Sequence, residues 1–249
     1  MKDGQPVIRL ERVSKSFGGR PVLREMSFSV ERGTAYCLLG RSGTGKSVTL
    51  KHIVGLEKPD SGRVVVAGAD VASLDAAGLS RLRRGVGFLF QGAALFDSLT
   101  VGENVMFPLR RHSSMNRAEM AERAREALAS VGLEQDFDKM PAELSGGMRK
   151  RAGLARAMAL EPPILLVDEP SAGLDPITSE EIDRLLIGLK AERGTTLVVV
   201  THDIPSARLI GDVLGVIDGG QLIAEGTAEE LAHSGNEMVR RFMEMEGGG

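Results

Sequence analysis

The eight residues from Gly40 to Ser47 constrain this chain more than any other stretch of it. They spell Gly-Arg-Ser-Gly-Thr-Gly-Lys-Ser, which matches the pattern G-x-x-x-x-G-K-[ST] at every fixed position. Glycines let the backbone turn tightly and aim successive N–H groups at one anion, while the lysine adds a positive charge. The pattern therefore predicts a loop that holds the phosphates of a nucleoside triphosphate, here called the P-loop (Gly40–Ser47).

The residues on either side of the P-loop support this interpretation. The apolar run 36–39 predicts a buried strand before the loop, and residues 48–56 predict a helix after it. The positive end of that helix would face the anion, and the hydroxyl of Ser47 would reach Mg²⁺. The residues of this region that we expect to contact the nucleotide are Gly40, Ser42, Gly43, Gly45, Lys46, Ser47 and Val48.

Composition limits the class of protein. The chain has 249 residues, of which 42% are hydrophobic and 26% charged, and a formal net charge of −3, which describes a globular protein and argues against a nucleic-acid partner. The single cysteine, Cys37, excludes a disulfide within the chain and a cysteine-rich zinc site, so we expect a buried small hydrophobe. The sequence shows neither a signal peptide nor a run of about 18 apolar residues, so we expect a cytosolic chain.

Alternating apolar and polar residues predict two antiparallel strands, over residues 7–13 and 22–30. A turn at Phe17-Gly18-Gly19 separates them. The ring of Phe17 can either fold back onto the core or stack on a flat base, and the local sequence leaves both interpretations open.

Residues 100–140 predict two helices and no strand, which indicates an inserted helical subdomain. Asn116 and Glu119 have the spacing of a capping box at the start of the second helix. We expect the polar face of that helix to be solvated; it carries Arg117, Glu122, Arg123 and Arg125.

Strand signals resume at residues 164–167 and 195–200, each after a helix-like segment, which is typical of a parallel sheet buried on both faces. The first of these strands delivers Asp168 and Glu169 to its C-terminal edge, where ligands bind in such sheets. We expect Asp168 to hold Mg²⁺ and Glu169 to polarise an attacking water. A hairpin around Asp218-Gly-Gly220, helical turns at 228–232 and 237–245, and a frayed end at 247–249 complete the chain.

The segment Leu144-Ser-Gly-Gly-Met148, here called the signature segment, predicts a second anion site. Ser145, Gly146 and Gly147 precede a helix predicted over residues 149–160, so a hydroxyl and backbone N–H groups gather at a helix N-terminus. One chain with two such helix starts suggests that nucleotide is shared between two copies of the chain.

With the P-loop, the signature segment and the acidic pair in this order, the chain resembles the nucleotide-binding subunits of ABC transporters over essentially its whole length. The resemblance implies an α/β fold: a P-loop NTPase core of ABC type with a mostly parallel sheet, an N-terminal antiparallel β subdomain and an inserted α-helical subdomain. It implies a single domain, 1–249, with the ATP-binding core at 7–91 and 160–226, the helical subdomain at about 92–159 and a short helical tail at 227–249.

The same resemblance implies Mg²⁺-dependent hydrolysis of ATP and assigns roles by position. It makes Phe17 the aromatic that stacks on adenine, and it places residues 171–175 at the seam of a homodimer. The implied catalytic residues are Glu169, His202, Gln91 and Lys46. The implied nucleotide contacts outside the P-loop region are Phe17, Ser145, Gly146, Gly147 and Asp175, and the implied Mg²⁺ ligands are Ser47, Gln91 and Asp168. His52, His112 and His233 are expected to be structural.

Three short segments resemble a narrower branch, the ATPases of Mla/Mce-type lipid transport systems: 90–96, 144–148 with Met148 where many members carry glutamine, and 168–178. That branch implies phospholipid transport, permease and Mce-type lipid-binding partners, and a position on the cytoplasmic face of the inner membrane. The ATPase subunits of polar amino-acid importers share much of the sequence of these segments, so import of a polar amino acid or another small solute is the alternative. A soluble ABC ATPase is a remote alternative, because the chain lacks coiled coils and zinc-binding cysteines and has one P-loop.

Overall fold

The computed structural model describes residues 5–244 and folds them into two β-sheets flanked by helices. The strands are β1 (Ile8–Phe17), β2 (Arg20–Val30), β3 (Ala35–Leu39), β4 (Ser61–Val66), β5 (Ala69–Asp70), β6 (Val86–Leu89), β7 (Ile164–Asp168), β8 (Thr196–Thr201), β9 (Val213–Asp218) and β10 (Gln221–Gly226). The α-helices are α1 (Lys46–Ile53), α2 (Ala76–Arg84), α3 (Val101–His112), α4 (Arg117–Ala129), α5 (Gly146–Met158), α6 (Pro176–Arg193), α7 (Ile204–Ile210), α8 (Ala228–Ala232) and α9 (Glu237–Glu244). The frayed end predicted at 247–249, and Met245 of the last predicted helix, lie outside the described residues.

The N-terminal strands form an antiparallel sheet in the order β2-β1-β4-β5. Ile8 pairs with Val30 on one side and with Val66 on the other, so the start of β1 is the centre of this sheet. Ile8 and Leu10 are buried, whereas Arg9 between them is exposed. The predicted alternation and the predicted antiparallel strands are therefore confirmed.

The second sheet has the order β10-β9-β3-β8-β7-β6. All of its neighbouring strands run parallel except β9 and β10, which form the predicted hairpin, so the mostly parallel α/β core is confirmed. Tyr36 and Leu38 face the core shared with the antiparallel sheet and α1, whereas Cys37 and Leu39 face the core shared with α3 to α7. Burial on both faces explains why these strands are continuous apolar runs. It also confirms that Cys37 is a buried hydrophobe.

The two sheets meet through stacked aromatic rings. The ring of Phe28 on β2 lies 4.7 Å from that of Tyr36 on β3, with an angle of 13° between the planes. This contact joins the antiparallel sheet to the strand that leads into the P-loop, so the loop rests on both sheets.

Helices α3, α4 and α5 pack together and bury Val105, Leu128 and Leu154 in one core. The predicted capping box is present, because Asn116 accepts from the N–H of Glu119 and the Glu119 carboxylate accepts from the N–H of Asn116. No helix within residues 5–244 is long and apolar enough to cross a membrane.

The expected solvated face of α4 is only partly solvated. Arg123 donates from Nε to the carbonyl of Ala159 and pairs with Glu161 at 2.8 Å. The guanidinium of Arg125 lies 4.0 Å from the centre of the Phe137 ring. The prediction was wrong for Arg123, whose side chain is partly buried, because long basic side chains can cover apolar surface while their charged ends remain paired. Arg125 is exposed, as expected.

The loops that carry the predicted chemistry leave one edge of the six-stranded sheet. In this parallel register, β3 leads into the P-loop, β6 into Gln91, β7 ends at Asp168, and β8 is followed by His202. The carboxyl edge of a parallel sheet is where ligands bind in α/β folds.

Candidate active site

The P-loop ends in a helix start that no side chain caps. Gly45 is the N-cap of α1 and has a left-handed φ of 102°, and no side-chain hydrogen bond satisfies the first turn. A Cβ at Gly45 would lie 2.6 Å from Cδ2 of Leu23, so both the conformation and the space require glycine. The first N–H groups of α1 are therefore left for an anion.

Lys46 lies buried at the bottom of the P-loop. Its Nζ donates to the carbonyl of Gly40 at 2.6 Å and to that of Arg41 at 3.1 Å. The same Nζ lies 3.2 Å from Oε1 of Glu169. The lysine thus joins the end of β3 to the end of β7.

Ser47 and Asp168 provide two oxygen atoms next to this lysine. The Oγ of Ser47 donates to Oδ1 of Asp168 at 2.8 Å. Burial raises the pKa of Asp168, and the hydrogen bond from Ser47 opposes that effect. Magnesium prefers oxygen ligands and is often held by one or two protein groups together with substrate phosphates, so this pair fits Mg²⁺.

Glu169 occupies an unusual backbone conformation. Its φ is 47°, in the left-handed region that non-glycine residues rarely adopt, and its N–H donates to the carbonyl of Val200 at 2.9 Å. Such conformations concentrate at functional sites, where the surrounding structure enforces them. The side chain is buried to all but 9% of its surface, so its two oxygens depend on protein partners.

Both carboxylate oxygens of Glu169 have such partners. Oε1 faces Lys46, and Oε2 lies 2.8 Å from Nδ1 of His202. The backbone N–H of His202 also donates to Oε2, at 3.3 Å. His202 itself is 57% exposed, so its ring closes the site on the solvent side.

Gln91 lies at the start of a segment, here called the Q-loop (Gln91–Ala94), whose backbone is held from α5. Its carbonyl accepts a hydrogen bond from the ammonium of Lys150, and its side chain is exposed. Among the hydrogen bonds of residues 5–244, none involves the side-chain amide of Gln91. The sequence identified Gln91 but missed Lys150, one of three successive basic residues from Arg149 to Arg151. A signal was present: Gly153 and Ala157 follow at helical spacing and mark this as the face of α5 that packs closely.

The signature segment also forms a helix start, which lies three residues before the predicted one. Ser145 is the N-cap of α5, and its Oγ accepts from the N–H of Met148 at 3.2 Å. Ser145 and Gly146 are exposed, whereas Gly147 is buried. A Cβ at Gly147 would lie 2.4 Å from Cγ2 of Thr178.

The structure does not bring the two helix starts together within one chain. In the described part of the chain, no hydrogen bond or ion pair joins residues 144–148 to the P-loop. Asp175 lies near the signature segment instead, as the N-cap of α6. Its carboxylate accepts from the N–H of Thr178 at 3.0 Å and from its Oγ1 at 2.6 Å, and these bonds lower its pKa.

Phe17 does not fold back onto the core. Its ring is 43% exposed, and the ammonium of Lys15 lies 5.3 Å from its centre. The exposed ring is therefore open to a flat ligand, which was one of the two interpretations of the sequence.

Comparison with known proteins gives matches along most of the chain. The family model described as ABC transporter matches residues 23–172. The methionine import ATP-binding protein MetN of Caulobacter vibrioides is 43% identical over 95% of this chain and 72% of its own length. The probable ribonucleotide transport ATP-binding protein mkl of Mycobacterium tuberculosis is 40% identical over 95% of this chain and 66% of its own length.

Solved structures match as well. The dimeric, post-hydrolysis state of the ATP-binding cassette MJ0796, bound to ADP and Pi, has a TM-score of 0.82 at 36% identity and covers 88% of this chain and 98% of its own. The structure of cbiO1 from Clostridium perfringens, part of the ABC transporter complex cbiONQ, has a TM-score of 0.82 at 30% identity, covering 95% of this chain and 94% of its own.

Proposed function

The chain belongs to the ABC transporter family as an ATP-binding, ATP-hydrolysing member, and we propose that two copies of it hydrolyse Mg·ATP at a shared interface to drive a membrane permease. The observation that carries the catalytic part is the arrangement of Lys46, Glu169 and His202. One buried carboxylate lies within 3.2 Å of a lysine ammonium and within 2.8 Å of a histidine ring nitrogen, beside a loop built for phosphates.

The residues divide the chemistry between them. The N–H groups at the start of α1 and the ammonium of Lys46 hold the β- and γ-phosphates, and Phe17 stacks on the adenine. Glu169 accepts the proton of the attacking water, while Nδ1 of His202 orients that carboxylate and the opposite ring edge faces the γ-phosphate. Ser47, Asp168 and Gln91 are the groups that would hold Mg²⁺, which supplies charge neutralisation at the phosphates when bound.

The second copy supplies the signature segment. Ser145 and Gly146 are exposed at the N-terminus of α5 and are not joined to the P-loop of their own chain. A helix N-terminus attracts anions, so in a face-to-face dimer this one would meet the γ-phosphate held by the other copy. The dimeric form of the similar cassette, MJ0796, supports this arrangement.

The permease would dock beside the Q-loop. A cavity of about 480 Å³ opens there among β6, α3 and α5, with Ala94 of the Q-loop in its lining. Phe96 and Phe107 lie 4.7 Å apart at its rim and are 42% and 39% exposed. Exposed aromatic rings beside the Q-loop are suited to a helix end from a membrane subunit, on the cytoplasmic face of the inner membrane.

We propose phospholipid, or another lipid, as the cargo, with an Mce-type lipid-binding subunit among the partners. The support is the resemblance of residues 90–96, 144–148 and 168–178 to Mla/Mce-type ATPases. Import of an amino acid is the second candidate, since a relative named as a methionine import protein is 43% identical.

The test is to purify the tagged chain from detergent-solubilised membranes and to identify the associated proteins and lipids by mass spectrometry, with a Lys46→Ala chain as the control for intact but inactive complexes. We expect a permease, an Mce-type subunit and enriched phospholipid. A permease with an amino-acid-binding protein and no lipid enrichment would contradict the lipid cargo and favour amino-acid import. The catalytic assignments would not be affected. Purification without any permease would contradict the transport function itself.

A further inference from the structure

We infer that Lys150 is a positioning residue that fixes the backbone of Glu169 and of the Q-loop against the signature helix α5. The inference rests on the proposed hydrolysis of ATP by Glu169. Lys150 is 6% exposed, although it lies in a run of three basic residues whose other members are accessible to solvent. A lysine is rarely so deeply buried unless its ammonium is bound.

The ammonium of Lys150 is bound to two backbone carbonyls from different loops. One belongs to Gln91, at the end of β6, and the other to Glu169, at 3.0 Å. Gln91 and Glu169 are 78 residues apart in sequence, and both bind the side chain of Lys150. Because the donor lies on the helix that Ser145 caps, Lys150 joins the signature segment to the backbone of the Q-loop and of Glu169.

The two carbonyl groups belong to backbone that needs support. Glu169 has a φ of 47°, and Ala93 and Ala94 in the Q-loop have φ values of 59° and 50°. Residues of this kind keep a left-handed conformation only where their surroundings enforce it. A charged donor is well suited to this, since hydrogen bonds from an ammonium are stronger than those from a neutral group.

A second basic residue on α5, Arg156, binds the Q-loop but not Glu169, so it allows the two contacts of Lys150 to be tested separately. Arg156 donates to the carbonyls of Ala93 and Ala94, each at 2.7 Å, but to neither Gln91 nor Glu169. Gly153, between the two basic residues, lets the Q-loop approach, because a Cβ there would lie 3.0 Å from Cβ of Ala93. Lys150 and Arg156 therefore both hold the Q-loop, and only Lys150 also holds Glu169.

The charges around Lys150 also support a role next to the acidic pair. Burial lowers the pKa of Lys150, while the nearby carboxylates of Asp168 and Glu169 oppose that effect. The positive charge thus lies close to the two acidic residues, beside the backbone of Glu169. Removing it would change both the position of Glu169 and the charge around it.

The experiment compares Lys150→Met with Arg156→Met in the purified chain with Mg·ATP. We expect Lys150→Met to lower kcat by roughly 10- to 100-fold, the effect of misplacing a reacting group by about 1 Å, while the Kd for a fluorescent ATP analogue changes less than about twofold. Arg156→Met should lower kcat less than Lys150→Met does, because it loosens only the contacts at Ala93 and Ala94 while Glu169 keeps its donor.

Three results would overturn the inference: an unchanged kcat in Lys150→Met, equal losses in both variants, or a Kd that weakens in step with kcat. If Lys150→Met does not fold, as judged by its thermal melt, Lys150→Gln keeps an amide donor on a shorter side chain and is judged by the same split between kcat and Kd. Wild-type protein that fails to hydrolyse ATP would instead contradict the proposed function, so the two failures are distinguishable.

Discussion

The chain contains two helices that begin at glycine-rich loops, and they are built differently. Helix α1 starts after Gly45 with no side-chain cap, whereas α5 starts after Ser145, whose own hydroxyl accepts from the N–H of Met148. The first turn of α1 contains Lys46 and Ser47, which contact the acidic pair at the end of β7. The first turn of α5 instead lies against its own cap and the neighbouring start of α6. An uncapped helix start leaves its first N–H groups to water or a ligand, whereas a side-chain cap already satisfies one of them.

The glycines at the two helix starts differ in the same way. Gly45 is required by its left-handed backbone and by the nearby side chain of Leu23. Gly147 has no such backbone requirement, and it is required because Thr178 lies against it. We conclude that α1 is shaped around the phosphate loop, whereas α5 is shaped first around α6 and leaves the end at Ser145 and Gly146 exposed.

The largest effect should come from the carboxylate beside α1. Glu169→Gln keeps the shape of the side chain but removes its ability to take a proton, so we expect hydrolysis to fall roughly 10²- to 10⁴-fold. Nucleotide should still bind, and a dimer should accumulate in the presence of Mg·ATP. Steady-state phosphate release and light scattering coupled to size-exclusion chromatography measure the two outcomes.

Ser145→Ala, at the other helix start, is the matched control for this variant. It should weaken the ATP-dependent dimer, while a monomer binds nucleotide as before. If Glu169→Gln hydrolysed ATP at the wild-type rate, Glu169 would not activate the attacking water. The two helix starts would then not differ in their contribution to catalysis.

A smaller effect, on stability, should show whether Gly147 is required for packing against α6 or for anion binding. Gly147→Ala places a Cβ 2.4 Å from Cγ2 of Thr178. We expect it to lower the free energy of unfolding by about 1–3 kcal/mol, the usual cost of overpacking. Thr178→Ser removes that methyl group and keeps the hydroxyl that binds Asp175, so the double variant should recover most of the loss in urea unfolding.

Thr178→Ser alone is the control and should lie within about 0.5 kcal/mol of wild type, as is usual for partly exposed sites. If the double variant were as unstable as Gly147→Ala, the close contact with α6 would not explain the glycine. The two helix starts would then both be shaped around a ligand.

The sequence was sufficient for the elements and for the residues that meet at the sheet edge. Apolar runs of the right length predicted β3, β7 and β8, and the parallel order of the strands follows from their alternation with helices. The motifs predicted that Lys46, Asp168 and Glu169 lie at one edge of the sheet. In the structure, Nζ of Lys46 lies 3.2 Å from Oε1 of Glu169. Asp168 accepts from Ser47, the residue after Lys46. Local sequence patterns are sufficient to predict this arrangement, because each functional loop follows a strand of the parallel sheet and the strands end at the same edge.

The remaining features depend on contacts between distant segments. The burial of Lys150 requires the Q-loop and Glu169 to lie on either side of its ammonium, and neither is near it in sequence. The role of Arg123 at the end of α5 was missed for the same reason. A basic residue on a helix looks alike in sequence whether its partner is solvent or a carbonyl from another loop.

The smallest effect concerns the far end of α1, where His52 is buried. Its Nδ1 lies 2.8 Å from the carbonyl of Val48 and therefore donates, while its Nε2 has no hydrogen-bond partner among the described residues. Burial lowers the pKa of His52, and the charge of Lys15 does so too, whereas Glu57 and Asp60 oppose them. The unfolded chain therefore binds a proton more readily than the folded one, so this contribution to stability is present above about pH 6.5 and is lost as the pH falls.

We expect the free energy of unfolding to decrease by on the order of 1 kcal/mol more in wild type than in His52→Asn between pH 7 and pH 5, measured by urea unfolding. The difference between the two proteins is the test, because Asp183, whose pKa burial raises to about 6, titrates in the same range with the opposite sign in both. Equal pH dependence would show that His52 is not held neutral. The buried end of α1 would then carry a charge in the folded protein, and the contrast between α1 and α5 would be confined to their starts.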